Sequence, residues 1–170
     1  YGDDVYTVKE EETLEMAVVR LLQKYDLTVT TAESCTGGLL SGRIINVPGA
    51  SEVFKEGFVT YSNKAKRKTL DVSKSTLKKY GAVSAQTAKE MATGGVFATD
   101  ADTCIAVTGL AGPEGEEEKP VGLVYIACYM KDKVKVEEYH FKGNREKIRE
   151  QSVVKALDLL RRSILANYKD

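Results

Sequence analysis

A three-layer α/β/α sandwich around a mixed, mostly parallel sheet is the fold this sequence predicts, and three observations carry it. Short β-branched or apolar runs alternate with segments of helical spacing through the first two thirds of the chain. Val121 to Met130 is apolar on both faces, the pattern of a central strand covered on each side. Lys131-Asp132-Lys133 then turns the chain directly into another strand, so the sheet ends in a hairpin rather than a further crossover.

The elements follow in order. Glu11 to Tyr25 carries Leu14, Ala17, Val18, Leu21, Leu22 and Tyr25 at spacings of three and four, behind an acidic first turn, which predicts an amphipathic helix. Leu27 to Ala32 is β-branched and reads as a strand. The turn Glu33-Ser34-Cys35-Thr36-Gly37-Gly38 separates it from a helix over Leu39 to Val47, which Pro48-Gly49 ends. Gly57 to Tyr61 is a second strand, and Ser62-Asn63 caps a basic helix over Lys64 to Leu70. A short helix covers Ser75 to Tyr80, and a longer one, capped by Ser84, runs to Ala98. Thr103 to Thr108 is an apolar strand broken by Gly109-Leu110-Ala111-Gly112-Pro113, and an acidic loop spans Glu114 to Lys119. In Val134 to Phe141, Val134 and Val136 share one face while Tyr139 and Phe141 take the other, so a bulge or a change of partner is expected there. Gly143-Asn144 caps a final helix over Arg145 to Tyr168.

Composition narrows the function. The 170 residues, 42% hydrophobic and 29% charged, suit one globular domain, placed at 11–170 behind a linker or junction remnant at 1–10. Twenty-five Lys and Arg balance twenty-five Asp and Glu, so there is no net basic field to call for nucleic acid. No apolar run approaches the roughly 20 residues that span a bilayer. A single histidine excludes a zinc site built on several, and any hydrolytic triad must use His140 or do without imidazole. His140, among Tyr139 and Phe141, reads as structural. Cys104 and Cys128 sit in apolar runs and read as buried reduced thiols, and the segment Tyr1-Gly-Asp-Asp-Val-Tyr has no secretory pattern, so a cytoplasmic setting is expected. The long C-terminal helix leads us to expect association of the chain with copies of itself.

In an open α/β sheet, ligands sit at the carboxyl ends of adjacent strands. If the first three strands are parallel neighbours, Ser34 to Gly38, Tyr61-Ser62-Asn63 and Thr108-Gly109 converge on one crevice. The glycine turn offers backbone N–H groups and the hydroxyls of Ser34 and Thr36, which suit a phosphate or an oxyanion; equally, the two hydroxyls simply cap the helix. The segment is neither a P-loop nor a G-x-S-x-G elbow. Lys66, in the first turn of its helix and among Lys64, Arg67 and Lys68, is placed where the helix dipole and like charge favour a neutral amine. It is then either a general base toward a serine, with Tyr61 as relay, or part of a solvated basic face. Cys35 is the competing nucleophile, but adjacent residues leaving a strand face opposite sides, and we rank Ser34 above it. The Glu116-Glu117-Glu118 run reads as a solvated loop.

Five ordered motifs resemble the CinA C-terminal domain family, which includes the nicotinamide-nucleotide amidases: Thr30-Thr31-Ala32-Glu33-Ser34-Cys35-Thr36-Gly37-Gly38; Gly57-Phe58-Val59-Thr60-Tyr61-Ser62-Asn63 with Lys66; Gly81-Ala82-Val83-Ser84; Thr108-Gly109-Leu110-Ala111-Gly112-Pro113; and Lys119-Pro120-Val121-Gly122. The resemblance runs from about Leu14 to the C-terminus. It implies a hydrolase that turns nicotinamide mononucleotide into nicotinate mononucleotide and ammonia, without a cofactor or metal. Ser34 then corresponds to the nucleophile, Lys66 to the base and Tyr61 to their helper. Thr36, Gly37, Gly38, Asn63, Thr108 and Gly109 fall to the substrate pocket, and Arg145, in Gly143-Asn144-Arg145, to ligand binding. Asn144 stands where the family usually has Asp, and the loop from Glu114 to Lys119 is shorter and more acidic than usual. The opening Tyr1-Gly stretch resembles the junction of longer CinA proteins, in which a molybdopterin-binding-like domain precedes this one. Two other readings stay open: a competence or damage-inducible domain that binds a nucleotide without chemistry, and a metal-dependent hydrolase of a nucleotide pyrophosphate.

Overall fold

The computed structural model describes residues 10–116 and 118–168, so nearly all of the expected 1–10 linker, and Glu117 of the acidic loop, lie outside the described residues. The elements are α1 (Leu14–Lys24), β1 (Val29–Glu33), α2 (Leu39–Ile45), a 3-10 turn (Ala50–Glu52), β2 (Phe54–Val59), α3 (Asn63–Leu70), α4 (Lys74–Tyr80), α5 (Ala85–Thr99), β3 (Thr103–Gly109), β4 (Leu123–Met130), β5 (Lys133–His140) and α6 (Arg145–Asn167). The sheet order is β2-β1-β3-β4-β5. β1 pairs in parallel with β2 and β3, while β4 is antiparallel to both β3 and β5. Four strands therefore point one way and β4 alone is reversed, giving the mixed, mostly parallel sheet of a three-layer α/β/α sandwich.

Alternation along the strands divides the core between the two faces. Ile105 and Val107 of β3, with Val124 and Ile126 of β4, pack beneath Leu22 of α1, Leu40 and Ile44 of α2, and Leu157 and Leu160 of α6. Ala32, Cys104, Ala106 and Ala127 face the other layer, where Leu70 of α3, Leu77 of α4 and Met91 of α5 close the core. The small side chains on that second face let α5 lie close. A Cβ on Gly95 would stand 2.5 Å from Cys104 Sγ, and one on Gly94 only 1.9 Å from the Leu70 carbonyl oxygen. Those two glycines set how near α5 sits to β3 and to the C-terminal end of α3.

Two local expectations are corrected. β5 contains no bulge: its pairing with β4 is unbroken from Leu123↔His140 to Met130↔Lys133. Val134 and Val136 pack on the α5 side and Tyr139 and Phe141 on the α6 side, because helices cover both faces of this edge strand. The irregularity lies in β2, which begins at Phe54 instead of Gly57 and slips by one residue against β1 between Val29 and Thr31. β2 is an exposed edge, so its sequence carries little apolar alternation. The buried apolar residues of helix α6 pack inside the chain, against β4 and α1. Among the described residues no helix is long and apolar enough to cross a membrane.

Candidate active site

β1 delivers Ser34 to the carboxyl edge of the sheet, where its N–H donates to the Val107 carbonyl of β3 at 2.9 Å. Cys35 and Thr36 follow, then Gly37 and Gly38 at φ of 57° and 100°, a left-handed pair that only glycine adopts cheaply and that swings the chain into α2. Glu33, 0% exposed, fixes this swing. Its carboxylate accepts the N–H groups of Gly38 (3.2 Å), Leu40 (2.9 Å) and Ser41 (3.1 Å) and the Ser41 hydroxyl (2.6 Å). A buried carboxylate is tolerated when hydrogen bonds replace its water, and here the positive end of α2 supplies them. Ser41 also bonds Thr31 Oγ1 at 2.7 Å, tying α2 to the strand.

α3 presents Lys66. Its cap is Ser62, whose hydroxyl accepts the Ala65 N–H at 3.0 Å, and Asn63 is the first helical residue. Lys66 is 1% exposed, and its Nζ lies 2.9 Å from Ser34 Oγ and 2.7 Å from the Thr60 carbonyl, to which it donates. Burial pushes the amine down to about 8. The cause thus differs from the expected one: the amine is tuned by loss of water and not by Lys64, Arg67 and Lys68, which stay exposed. Burial pushes the Cys35 thiol up, to about 11, so it stays protonated at neutral pH. Both Ser34 and Cys35 border the same cavity, contrary to the expectation that only one would, but it is Ser34 that touches Lys66. Cys104 and Cys128 are buried free thiols.

That cavity, of about 250 Å3, is bordered by Ser34, Lys66, Tyr61, Thr108, Gly109 and Arg145, together with Glu114 and Glu116 of the acidic loop. Tyr61 is 63% exposed and its hydroxyl accepts from Arg145 Nη2 at 2.9 Å. It does not bridge Ser34 and Lys66, so the expected relay through Tyr61 is absent from this geometry. Arg145 also donates to the Gly112 carbonyl at 2.6 Å, which leaves further guanidinium donors at the cavity mouth. Thr108 Oγ1 donates to the Ala82 carbonyl at 2.8 Å and fixes the 81–84 turn over the crevice.

Four expected pocket residues lie elsewhere. Thr36 is fully buried, Asn63 is exposed, and neither of them, nor Gly37 or Gly38, borders the cavity. The Gly37 N–H is taken by the Ser34 carbonyl (3.1 Å) and the Gly38 N–H by Glu33, which withdraws both from anion binding. Two residues to which the sequence assigns no role of their own hold the site together. Lys119 donates to the carbonyls of Tyr80 and Val83, each at 2.7 Å, fastening the acidic loop to the 81–84 turn. Arg149 donates to the carbonyls of Cys35 (2.9 Å) and Thr36 (3.2 Å). The signal for Arg149 was its spacing of four from Arg145, which puts both on one helix face. A larger groove of about 720 Å3, between α3, α4 and α5 and bordered by Leu70, Tyr80 and Phe97, holds the Thr76 hydroxyl bonded to Glu90 at 2.7 Å, whereas the serine in contact with a buried lysine lies in the smaller cavity.

Fold and site together define an α/β/α domain with a buried serine–lysine pair at the carboxyl edge of its parallel strands. The CinA C-terminal domain model matches residues 11–164, and the chain belongs to that family. A relative from Clostridium novyi, named for competence and damage induction, is 53% identical over 156 residues, covering 91% of this chain and 38% of the relative. The CinA-like protein of Kosmotoga olearia is 50% identical, covering 96% of this chain and 40% of its own length. The chain therefore spans about two fifths of these curated relatives. Among solved structures, the competence/damage inducible protein CihA from Agrobacterium tumefaciens superposes with a TM-score of 0.84 at 43% identity, over 86% of this chain and 91% of that one. A CinA superfamily protein from Klebsiella pneumoniae gives 0.88 at 35% identity, over 90% and 96%.

Proposed function

We propose that this domain hydrolyses the carboxamide of nicotinamide mononucleotide, giving nicotinate mononucleotide and ammonia, with Ser34 as nucleophile and Lys66 as the acid–base group. The observation that carries this reading is the 2.9 Å contact between Ser34 Oγ and a buried lysine amine whose pKa is drawn down to about 8. A neutral amine at that distance accepts the serine proton as Oγ attacks the carboxamide carbon. The new O–C bond forms while the carbonyl π pair moves onto oxygen. The oxyanion then re-forms the carbonyl, the C–N bond breaks, and the leaving nitrogen takes its proton from the Lys66 ammonium. Water adds to the resulting Ser34 ester as Lys66 again accepts a proton; the Ser34 Oγ–C bond then breaks, Oγ takes that proton back from Lys66, and the acid leaves as its carboxylate with its own proton passing to solvent. The Thr60 carbonyl holds Nζ on course throughout.

The small cavity suits a pyridine carboxamide at its floor, and Arg145 at the mouth suits the nucleotide phosphate. Tyr61, bonded to Arg145, serves as a binding residue in this scheme rather than as a proton relay. A cytoplasmic place in pyridine nucleotide salvage, a preceding molybdopterin-binding-like domain and association of copies belong to the same proposal for the whole protein. A coupled ammonia assay with the mononucleotide, set against free nicotinamide, tests it. Release from the mononucleotide, with free nicotinamide a much poorer substrate, is the expected result; no release from either leaves a nucleotide-binding role in its place.

A further inference from the structure

Each carbonyl from Tyr80 to Val83 is held by a side chain. That of Gly81 accepts from Ser84 Oγ at 3.0 Å and Thr87 Oγ1 at 2.7 Å, both at the start of α5. That of Ala82 accepts from Thr108 Oγ1 of β3 at 2.8 Å. The two outer carbonyls, of Tyr80 and Val83, share one donor, Lys119 Nζ, at 2.7 Å each. Gly81, at φ 81°, leaves the space for that amine, since a Cβ there would stand 2.9 Å from Nζ. Lys119 also closes the acidic loop. The Glu116 N–H donates to its carbonyl at 3.1 Å, and its own N–H donates to the Glu116 carbonyl at 3.0 Å.

The two segments that Lys119 joins both reach the cavity of Ser34. Ala82 and Val83 border it beside Ser34 and Lys66, and so do Glu114 and Glu116 of the loop. One ammonium thus ties together two stretches of cavity wall, gripping Val83 from 36 residues away with bonds that its charge strengthens. We propose that Lys119 is a positioning residue that sets the width of this cavity, and with it the selectivity for a single pyridine ring over a larger one. This rests on the reading of the cavity as the amidase site and of Ser34 as nucleophile. Lys119 does not itself border the cavity and acts only through the walls it joins. Walls touch bound substrate and transition state alike, so loss of the tie falls on KM and on size selection rather than on kcat.

The test uses Lys119→Met, Lys119→Gln and Lys119→Arg in the intact chain, with two readouts. One is kcat and KM for ammonia release from nicotinamide mononucleotide. The other is the ratio of the rates at which dansyl fluoride, with two fused rings, and phenylmethanesulfonyl fluoride, with one, label Ser34. Intact mass follows the labelling, with Ser34→Ala as blank. In each labelling the Ser34 Oγ–S bond forms as the S–F bond breaks, fluoride leaves and the serine proton goes to Lys66. Lys119→Met should raise KM about 10-fold with kcat within about threefold, and shift the labelling ratio about 10-fold toward the two-ring reagent. The pH inflection set by Lys66 should stay in place. Lys119→Arg, whose fork serves two acceptors, should bring both readouts to within about twofold of wild type. Lys119→Gln, uncharged and one atom shorter, should shift both in the same direction as Met, and it decides the matter if the Met variant folds poorly. Wild-type KM and labelling ratio in the Met or Gln variant, or a fall in kcat with both unchanged, overturns the inference alone. A wild type that labels at Ser34 but releases no ammonia removes the proposed substrate and leaves the labelling ratio to decide the inference. A wild type inert to both substrate and reagents overturns the Ser34 reading and this inference with it.

Discussion

Lys66 Nζ reaches Ser34 Oγ at 2.9 Å across 32 residues of sequence, and its second contact, 2.7 Å to the Thr60 carbonyl, comes from the residue that ends the β2 connection. The lysine is thus held between two strand ends, with its long stem buried under α3. Few arrangements tolerate an amine so far from water; here the reward is chemical, because the proton is weakly held.

That placement carries a stability signature. The folded amine titrates near 8, below its ordinary 10.5, so between those values the unfolded chain binds more protons than the folded one. Stability attributable to this group therefore rises with pH across that window, and below pH 8 the buried charge works against folding. Lys66→Met should melt at a higher temperature than wild type at pH 7, and the gap should narrow as the pH is raised toward 10. The same variant should release no ammonia, a trade of function for stability. Calorimetric scans of both proteins across that pH range check it.

Glu33 should matter to stability as much as to geometry. Glu33→Ala strands four donors at the start of α2 and should cost about 3 kcal/mol in urea unfolding, the scale for breaking a buried charged network. Glu33→Gln keeps the size but turns an amide N–H2 toward donors, and should recover only part of that loss.

Much of the architecture was legible. The periodicity of α1 and α5 and the doubly apolar run of β4 mark elements buried in the ordinary way, and the structure places them within a few residues. The start of β2 is hard to read because this edge strand packs only Phe54 and Phe58 inward and leaves the residues between them exposed, too few to impose an alternating pattern. At the site, the turn at Ser34 and the cap near Ser62 announce themselves locally. What makes them a site does not. Lys66 is brought to Ser34 from 32 residues away, and Arg149 meets Cys35 from 114 residues away. Charge counting along α3 points to the wrong cause for the tuned amine, since spacing says nothing of how deep a side chain lies. The glycines of the turn look like anion binders until Glu33, their immediate neighbour, is seen to occupy the helix end.

Cys35 should prove a bystander. With its thiol pushed up to about 11 and buried, native protein should resist iodoacetamide at pH 7.5, and so should Cys104 and Cys128, whose thiols burial also raises. Cys35→Ala should keep most of the turnover because it leaves the backbone N–H in place. Intact mass after alkylation and the ammonia assay give the two answers.

Because Lys66 supplies and removes every proton in the scheme, chelation should not slow it. Turnover in excess EDTA should match that in buffer alone, whereas a loss restored by a divalent cation would favour pyrophosphate chemistry over amide hydrolysis.

The most direct measurement is the pH dependence of kcat/KM for ammonia release from nicotinamide mononucleotide, run on wild type, Ser34→Ala and Lys66→Ala. The account predicts a wild-type rate that climbs with pH and levels off above an inflection near 8, with both variants lower by three orders of magnitude or so. A Lys66→Ala enzyme that keeps wild-type turnover, or a wild-type rate flat from pH 6 to pH 9.5, contradicts it.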